Sequence, residues 1–316
     1  MSKENNKSDS LIVPRKNYRA GFVGLIGQPN AGKSSLMNFL VSEKVSIVTA
    51  KPQTTRRRVM GLYSSEQGQI IFVDAPGVVK STSGLNSFLQ KEAEDVIQSS
   101  DALLTVLSID ETEAERNQEI IDLAVKSKKP WMGIVTKTDI TDKAHRVLIL
   151  KDMIELNGVK ALQVSNKKDK KKDRSALLEE ILQMLPLTEA PLYDPELFTT
   201  ESVRALSEEI IREKCFELLA HEIPYNLAVH TRRFDEDAKP CPKIYVDIVV
   251  SKDSHKPIVV GKSGQVIKKI GEESRKEIQK IMGENKVYLE LNVVVKENWF
   301  ENKNMMKELN YVVKTE

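Results

Sequence analysis

The residues Gly27-Gln28-Pro29-Asn30-Ala31-Gly32-Lys33-Ser34 have the spacing G-x-x-x-x-G-K-S, a set of residue types that can do phosphate chemistry. Glycines at the two ends let the backbone curl until successive N–H groups point inward at phosphate oxygens. A helix beginning at Ser34-Ser35 adds its positive end to the same spot. Lys33 is placed to reach the β- and γ-phosphates, and the Ser34 hydroxyl to ligate Mg²⁺. Three further stretches are spaced along the chain to complete such a site. Asp74-Ala75-Pro76-Gly77, followed by Val78, offers a carboxylate to a Mg²⁺-bound water and the Gly77 amide to the γ-phosphate. Thr136-Lys137-Thr138-Asp139 offers a carboxylate that accepts from both N1–H and the exocyclic amine of guanine, a donor pair adenine lacks. The Lys137 stem can lie along the base. Ser165-Asn166 is a weaker signal, a loop whose backbone N–H groups could meet guanine O6.

These motifs need elements to hold them, and each falls just after an apolar run. Phe22 to Ile26, Ile70 to Val73, Ala102 to Leu107, Met132 to Val135 and Ala161 to Val164 alternate with helical patterns. Such alternation predicts a mostly parallel sheet wrapped by helices, with ligands at the carboxyl ends of its strands. Arg58 to Val73, broken by Ser64-Ser65-Glu66-Gln67-Gly68, reads as a hairpin inserted into that sheet.

With 316 residues the chain has room for two domains. Forty-eight Lys plus Arg against 46 Asp plus Glu leaves +2, so overall charge makes no case for nucleic acid. Two cysteines are too few for a disulfide framework, which fits a reducing, cytoplasmic setting. Residues 1–18 lack a signal-peptide core and read as a mobile tail, and no apolar run reaches membrane-spanning length. The first domain is expected over 19–185. A linker follows at 186–199, with three prolines within Pro186 to Pro195, and a second domain covers 200–316.

In the second domain a helical apolar face from Val203 to Leu219 precedes strands at Asn226 to Thr231 and Lys243 to Val250. Then comes Val259-Val260-Gly261-Lys262-Ser263-Gly264, a loop small enough for a phosphodiester backbone to approach. Lys256, Lys262, Lys268 and Lys269 lie between Ser254 and Gly271 with no acid among them, and this local excess is the electrostatic case for RNA. Ile258, Val259, Val260, Val266, Ile267 and Ile270 are expected to form an apolar wall for bases. His255 is expected either beside RNA or in a solvated loop.

The phosphate motif, then Lys51-Pro52-Gln53-Thr54-Thr55-Arg56, D-x-P-G and K-x-D at these separations, resemble the Era family of bacterial Ras-like GTPases, from about Gly21 to Tyr311. The helix, strands, V-V-G-K-S-G, helix and strand order resembles a type II K-homology domain. The resemblance implies an α/β, P-loop Ras-like GTPase domain followed by a smaller α+β type II K-homology domain. It also implies slow hydrolysis of GTP to GDP with Mg²⁺. Val41 to Gly61 would be the first switch and Asp74 to about Ser87 the second. Thr54 or Thr55 would close on Mg²⁺, with Thr55 favoured because it directly precedes Arg56. The catalytic set on this reading is Lys33, Asn30, Thr55 and Gly77, with Ser34, Thr55 and Asp74 toward the metal. Asn30 matches an asparagine that holds K⁺ in relatives. The implied partners are the 3′ end of 16S-type ribosomal RNA and the small ribosomal subunit, with peripheral association at the inner face of the cell membrane. A monomer is expected. Two departures stand out: Thr136 where the family has Asn, and Asn166 where Ala is usual. Val78 occupies the slot of the water-positioning glutamine of many Ras-like enzymes, as in Era relatives. A regulator docking on protein or membrane, and an ATP-dependent kinase, are the competing readings; Asp139 argues against the second.

Overall fold

The apolar run that ends in the phosphate motif forms β1 (Arg19–Gly27), buried along most of its length. In the computed structural model, which describes residues 17–49, 51–78, 84–165 and 171–311, it lies inside a six-stranded sheet. The first domain continues with α1 (Lys33–Val41), β2 (Val59–Ser64), β3 (Gly68–Asp74), α2 (Gly84–Ser99), β4 (Ala102–Ser108) and α3 (Ala114–Ser127). After these come β5 (Trp131–Thr136), α4 (His145–Glu155), β6 (Ala161–Gln163) and α5 (Lys171–Gln183). The strand order is β2-β3-β1-β4-β5-β6. Only the β2/β3 hairpin is antiparallel, as its turn residues predict. Helices cover both faces, which is why β3 and β4 are apolar without alternation and buried throughout.

The second domain is built from α6 (Val203–Leu218), β7 (Leu227–Asp235), β8 (Lys243–Val250), α7 (Lys256–Val260), α8 (Gln265–Met282), β9 (Tyr288–Val295) and α9 (Lys303–Glu308). Its sheet has the order β7-β8-β9, with β7/β8 antiparallel and β8/β9 parallel across the α7–α8 connection. Ile211, Cys215, Ile244, Val246, Val259 and Ile270 share its core. Val259 and Ile270 are therefore packing residues, not part of an exposed wall for bases. The buried Cys215 thiol is pushed up to about 12 by burial, only partly countered by Arg212, so it is inert at neutral pH.

The Pro-rich connection is fastened to the first sheet. Ala20 N–H donates to Pro186 O (3.2 Å), and Leu192 and Tyr193 N–H donate to Gln69 Oε1 (2.8 and 2.9 Å). Leu62 N–H donates to Phe198 O (2.9 Å) and Thr199 Oγ1 to Met60 O (2.7 Å), so these residues run along the β2 edge. At the other end of the chain Trp299, Met306, Leu309 and Tyr311 pack with Phe88 and Leu89 of α2.

Between these two seams the segment joining α1 to β2 lies on α6. Arg56 is almost wholly buried and donates to three carbonyls of the second domain: Leu227 (2.5 Å), Tyr225 (2.8 Å) and Pro224 (3.0 Å). The Phe216 ring takes the Arg56 and Arg212 guanidinium groups at 5.7 and 5.6 Å. Arg57 donates to Leu309 O (2.5 Å) and stacks 4.7 Å from the Tyr311 ring. Lys44 reaches Glu213 and Glu277, each at 2.6 Å.

Candidate nucleotide site and RNA groove

The phosphate loop closes β1 in the conformation its glycines predict. Gly32 has φ +92°, in the left-handed region, and Asn30 also has a positive φ of 62°. The Gln28 side chain turns away to donate to Arg116 O (3.0 Å), and Ala31 N–H donates to Gln28 O (3.1 Å). Lys33 Nζ is buried and folds back onto Gly27 O (3.2 Å) and Gln28 O (3.1 Å), at the rim of the loop it is expected to serve. Burial lowers its ammonium to about 8, a shift the nearby Asp74 carboxylate opposes. A cavity of about 410 Å³ opens over the loop, lined among others by Asn30, Lys33, Ser34, Ser35, Thr55 and Gly77.

Three hydroxyls converge on one carboxylate at the floor of this cavity. Ser34 Oγ donates to Asp74 Oδ2 (2.5 Å) and lies 2.8 Å from Thr55 Oγ1. Ser46 Oγ reaches the same carboxylate oxygen at 2.9 Å, and Thr55 Oγ1 at 3.4 Å. Burial raises the Asp74 pKa, with Lys33 and these hydroxyls working the other way. The other oxygen, Asp74 Oδ1, is buried and has no hydrogen-bond partner. An orphaned carboxylate oxygen with two hydroxyl oxygens gathered at its other oxygen is an all-oxygen donor set of the kind a hard divalent cation takes, so Ser34, Thr55 and Asp74 fit Mg²⁺. Bound there, Mg²⁺ would neutralise charge on the β- and γ-phosphates. Of the two threonines, Thr55 is the one whose hydroxyl joins Ser34 and Asp74; the Thr54 hydroxyl donates to Lys51 O (2.8 Å) instead.

After β3, Ala75 is fully buried and Pro76 leads into Gly77, where a Cβ would lie 2.6 Å from both Cα and N of Pro29. Glycine is required at this position because the two loops touch backbone to backbone. Val78 N–H donates to Gly27 O (3.2 Å), tying the second switch to the phosphate loop at its root.

The base side is held from β5. Thr136 Oγ1 donates to Ala31 O (2.6 Å) and also lies 3.2 Å from Leu107 O, so a hydroxyl makes the link between base loop and phosphate loop. Lys137 adopts φ 58° and pairs with Asp110 (3.5 Å), which Lys143 also contacts at 2.5 Å. Asp139 Oδ1 accepts from Ser165 Oγ (3.2 Å), so the fourth motif braces the carboxylate expected to read guanine. Thr138 lines a separate cavity with Phe39 and Val164. Asn166 lies outside the described residues.

In the second domain the loop between α7 and α8 has Gly261 at φ +76°, Ser263 at φ 52° and Gly264 at φ +76°. A Cβ at Gly261 would strike Val266 Cγ2 at 2.4 Å, whereas nothing lies within 4 Å at Gly264, the open side of the loop. Lys256 opens α7 and Lys262 lies in the loop. Lys268 and Lys269 each stand 3.9 Å from a glutamate one turn on, Glu272 and Glu273, which tempers their charge. Of the predicted basic set Lys268 lines the groove between α8 and β9, and of the predicted apolar wall Ile267 does; this cleft of about 750 Å³ also takes in Gly271, Arg275, Tyr288 and Leu291, with Glu272 and Glu290 at its side. Gly271, Arg275 and Tyr288 were not singled out from sequence. For Gly271 and Arg275 the signal was there, since 268, 271 and 275 fall on one helical face. His255 is neither solvated nor at the groove; it is buried, with Nε2 3.8 Å from Glu222 and Nδ1 unpartnered.

Residues 22–137 match a family model described as 50S ribosome-binding GTPase, and residues 222–300 match the KH domain model. The chain is 36% identical over 299 residues to GTPase Era of Geobacter metallireducens, covering 93% of this chain and 98% of that one. The chain belongs to the Era family of GTPases. GTPase Era of Clostridium botulinum is 34% identical over the same share of the chain. Two solved Era structures share the fold at TM-score 0.86 and 32% identity. One is an Aquifex aeolicus Era variant bound to GDP.AlF4⁻, covering 93% of this chain and all of that one. The other is Era in complex with MgGDPNP and nucleotides 1506–1542 of 16S ribosomal RNA, covering 94% and 100%. In this chain the Asp139 carboxylate is braced by Ser165, and the hydroxyl of Thr136 ties the loop after β5 to the phosphate loop.

Proposed function

We propose that the chain is a GTP-hydrolysing switch that binds the 3′ end of 16S-type ribosomal RNA and assists assembly of the small ribosomal subunit. The observation that carries this reading is the full-length likeness to an Era protein holding MgGDPNP and 16S nucleotides. The glycine loop and the α8/β9 groove give this chain its own means of gripping a single strand. GTP favours the RNA-competent geometry and GDP favours release, because the segment bearing Thr55 is bonded to the RNA-binding domain through Arg56. The GTPase model's description names the large subunit instead, and it covers residues 22–137 alone.

The test is fluorescence anisotropy with a labelled 16S 3′-end oligonucleotide, a scrambled control and a large-subunit fragment, in GDP and in a non-hydrolysable GTP analogue. The 16S strand is expected to bind best, and more tightly with the analogue. Gly264→Asp should abolish that binding with GTP affinity intact, because a carboxylate there meets phosphate and its Cβ meets no neighbour, and Asp is among the residues that best tolerate the left-handed backbone at φ +76°. Equal affinity for all three strands, or for both nucleotide states, overturns the reading. Gly261 is unsuitable for this test, since any side chain there collides with Val266.

We also infer that K⁺ near Asn30 takes the place of an arginine finger; equal GTPase rates in K⁺ and Na⁺ would refute it. Among the described residues no helix is long and apolar enough to cross a membrane. A cytoplasmic monomer that meets the inner face of the membrane peripherally is the reading the resemblance supports, and light scattering and vesicle flotation test it.

A further inference from the structure

Thr55 reaches its place beside Ser34 without a helix or strand of its own, since among the described residues between α1 and β2 none belongs to a helix or strand. Part of what shapes this segment is internal: Asn38 Oδ1 accepts from Val45 and Ser46 N–H (2.9 Å each), and the Thr49 and Thr54 hydroxyls lie 2.7 Å apart. These bonds close small loops and leave their orientation open. The orientation comes from the second domain: after Thr55, Arg56 is held by the Pro224, Tyr225 and Leu227 carbonyls, and before it the chain is held from α6 and its C-terminal end. Val48 N–H donates to Glu213 Oε1 (3.0 Å), Lys51 Nζ donates to the Phe216 and Leu219 carbonyls, and Arg212 Nη1 donates to Thr54 O. The last bond falls on the residue immediately before Thr55. Arg212 is itself 1% exposed and is held on its other side by two bonds to Glu209, so it is a fixed post.

We propose that Arg212, in the RNA-binding domain, is a positioning residue of the GTP site: its bond to the Thr54 carbonyl presents the Thr55 hydroxyl to Ser34 and Asp74. Arg212 touches no nucleotide-binding residue of the phosphate loop; it acts through the backbone of Thr54. The effect is selective. Thr55 is needed where a γ-phosphate and its metal must be embraced, whereas the loop residues Gly32, Lys33 and Ser34 suffice for a diphosphate. Losing the post therefore costs affinity for the triphosphate and spares the diphosphate.

The proposal rests on the guanine-nucleotide reading of the first domain and needs nothing from RNA. Its test uses the full chain with Mg²⁺ and no RNA, measuring dissociation constants for GDP and for a non-hydrolysable GTP analogue, with thermal melting as the check on folding. Arg212→Met keeps most of the stem and removes every donor; Arg212→Lys keeps the charge and a single donor atom in place of the guanidinium fork. We expect Arg212→Met to weaken the analogue by about tenfold or more while GDP stays within about twofold, with Arg212→Lys in between. Equal weakening of both nucleotides, or no change in either, overturns the proposal. Should Arg212→Met not fold, Arg212→Lys decides on the same split. A wild-type chain that bound neither nucleotide would instead sink the GTP reading beneath it.

Discussion

Asp139→Asn is expected to turn the chain from a guanine to a xanthine nucleotide binder, the largest single-residue effect the site offers. The Asp139 carboxylate accepts from two base N–H groups, whereas an Asn there accepts from one and donates to a carbonyl at the second position, which is xanthine's pattern. The Ser165 hydroxyl that braces Oδ1 at 3.2 Å remains able to brace the amide oxygen. A buried hydrogen-bonding site rejects a ligand with the wrong pattern by about 10⁴ or more. The ratio of GTP to XTP affinity should therefore invert on that scale, read by displacement of a fluorescent GDP. A variant that bound XTP no better than the wild type does would show that Asp139 does not read the base.

Gly77→Ala is expected to slow hydrolysis by about 10² and leave GDP affinity within about threefold. The added carbon would sit 2.6 Å from the Pro29 backbone, and the phosphate loop cannot easily yield, because Lys33 and Thr136 bind its carbonyls from two sides. The chain beyond β3 is what moves, and the Gly77 amide leaves the γ-phosphate position. Single-turnover hydrolysis measured beside GDP binding checks both halves. Unchanged hydrolysis would mean the second switch makes its contact elsewhere.

The motifs were legible because each is local: Gly32, Lys33, Asp74 and Asp139 act from the ends of strands that announce themselves. Parallel strands buried on both faces, such as β4, are continuous apolar runs, and the β2/β3 turn carries its own polar signal. What sequence could not give is what depends on a distant backbone. Arg56 carries no sign in the sequence that it is buried, yet it is 2% exposed. Its partners are carbonyls near residue 225, which have no sequence signature. His255 sits among lysines and looks solvated, but the packing against Glu222 encloses it. The groove residues Gly271, Arg275 and Tyr288 come together only when β9 returns parallel to β8 and faces α8.

The strip from Pro186 to Thr199 has a practical bearing on how this molecule can be cut. A fragment ending at 185 would retain every nucleotide motif. It would also bare the amide of Leu62 and the carbonyl of Met60 along the β2 margin of the sheet, and strip the Gln69 side chain of its bonds to Leu192 and Tyr193. Unsheathed strand margins recruit further strands. Such a truncation would clump where one carried through Thr199 would stay dispersed.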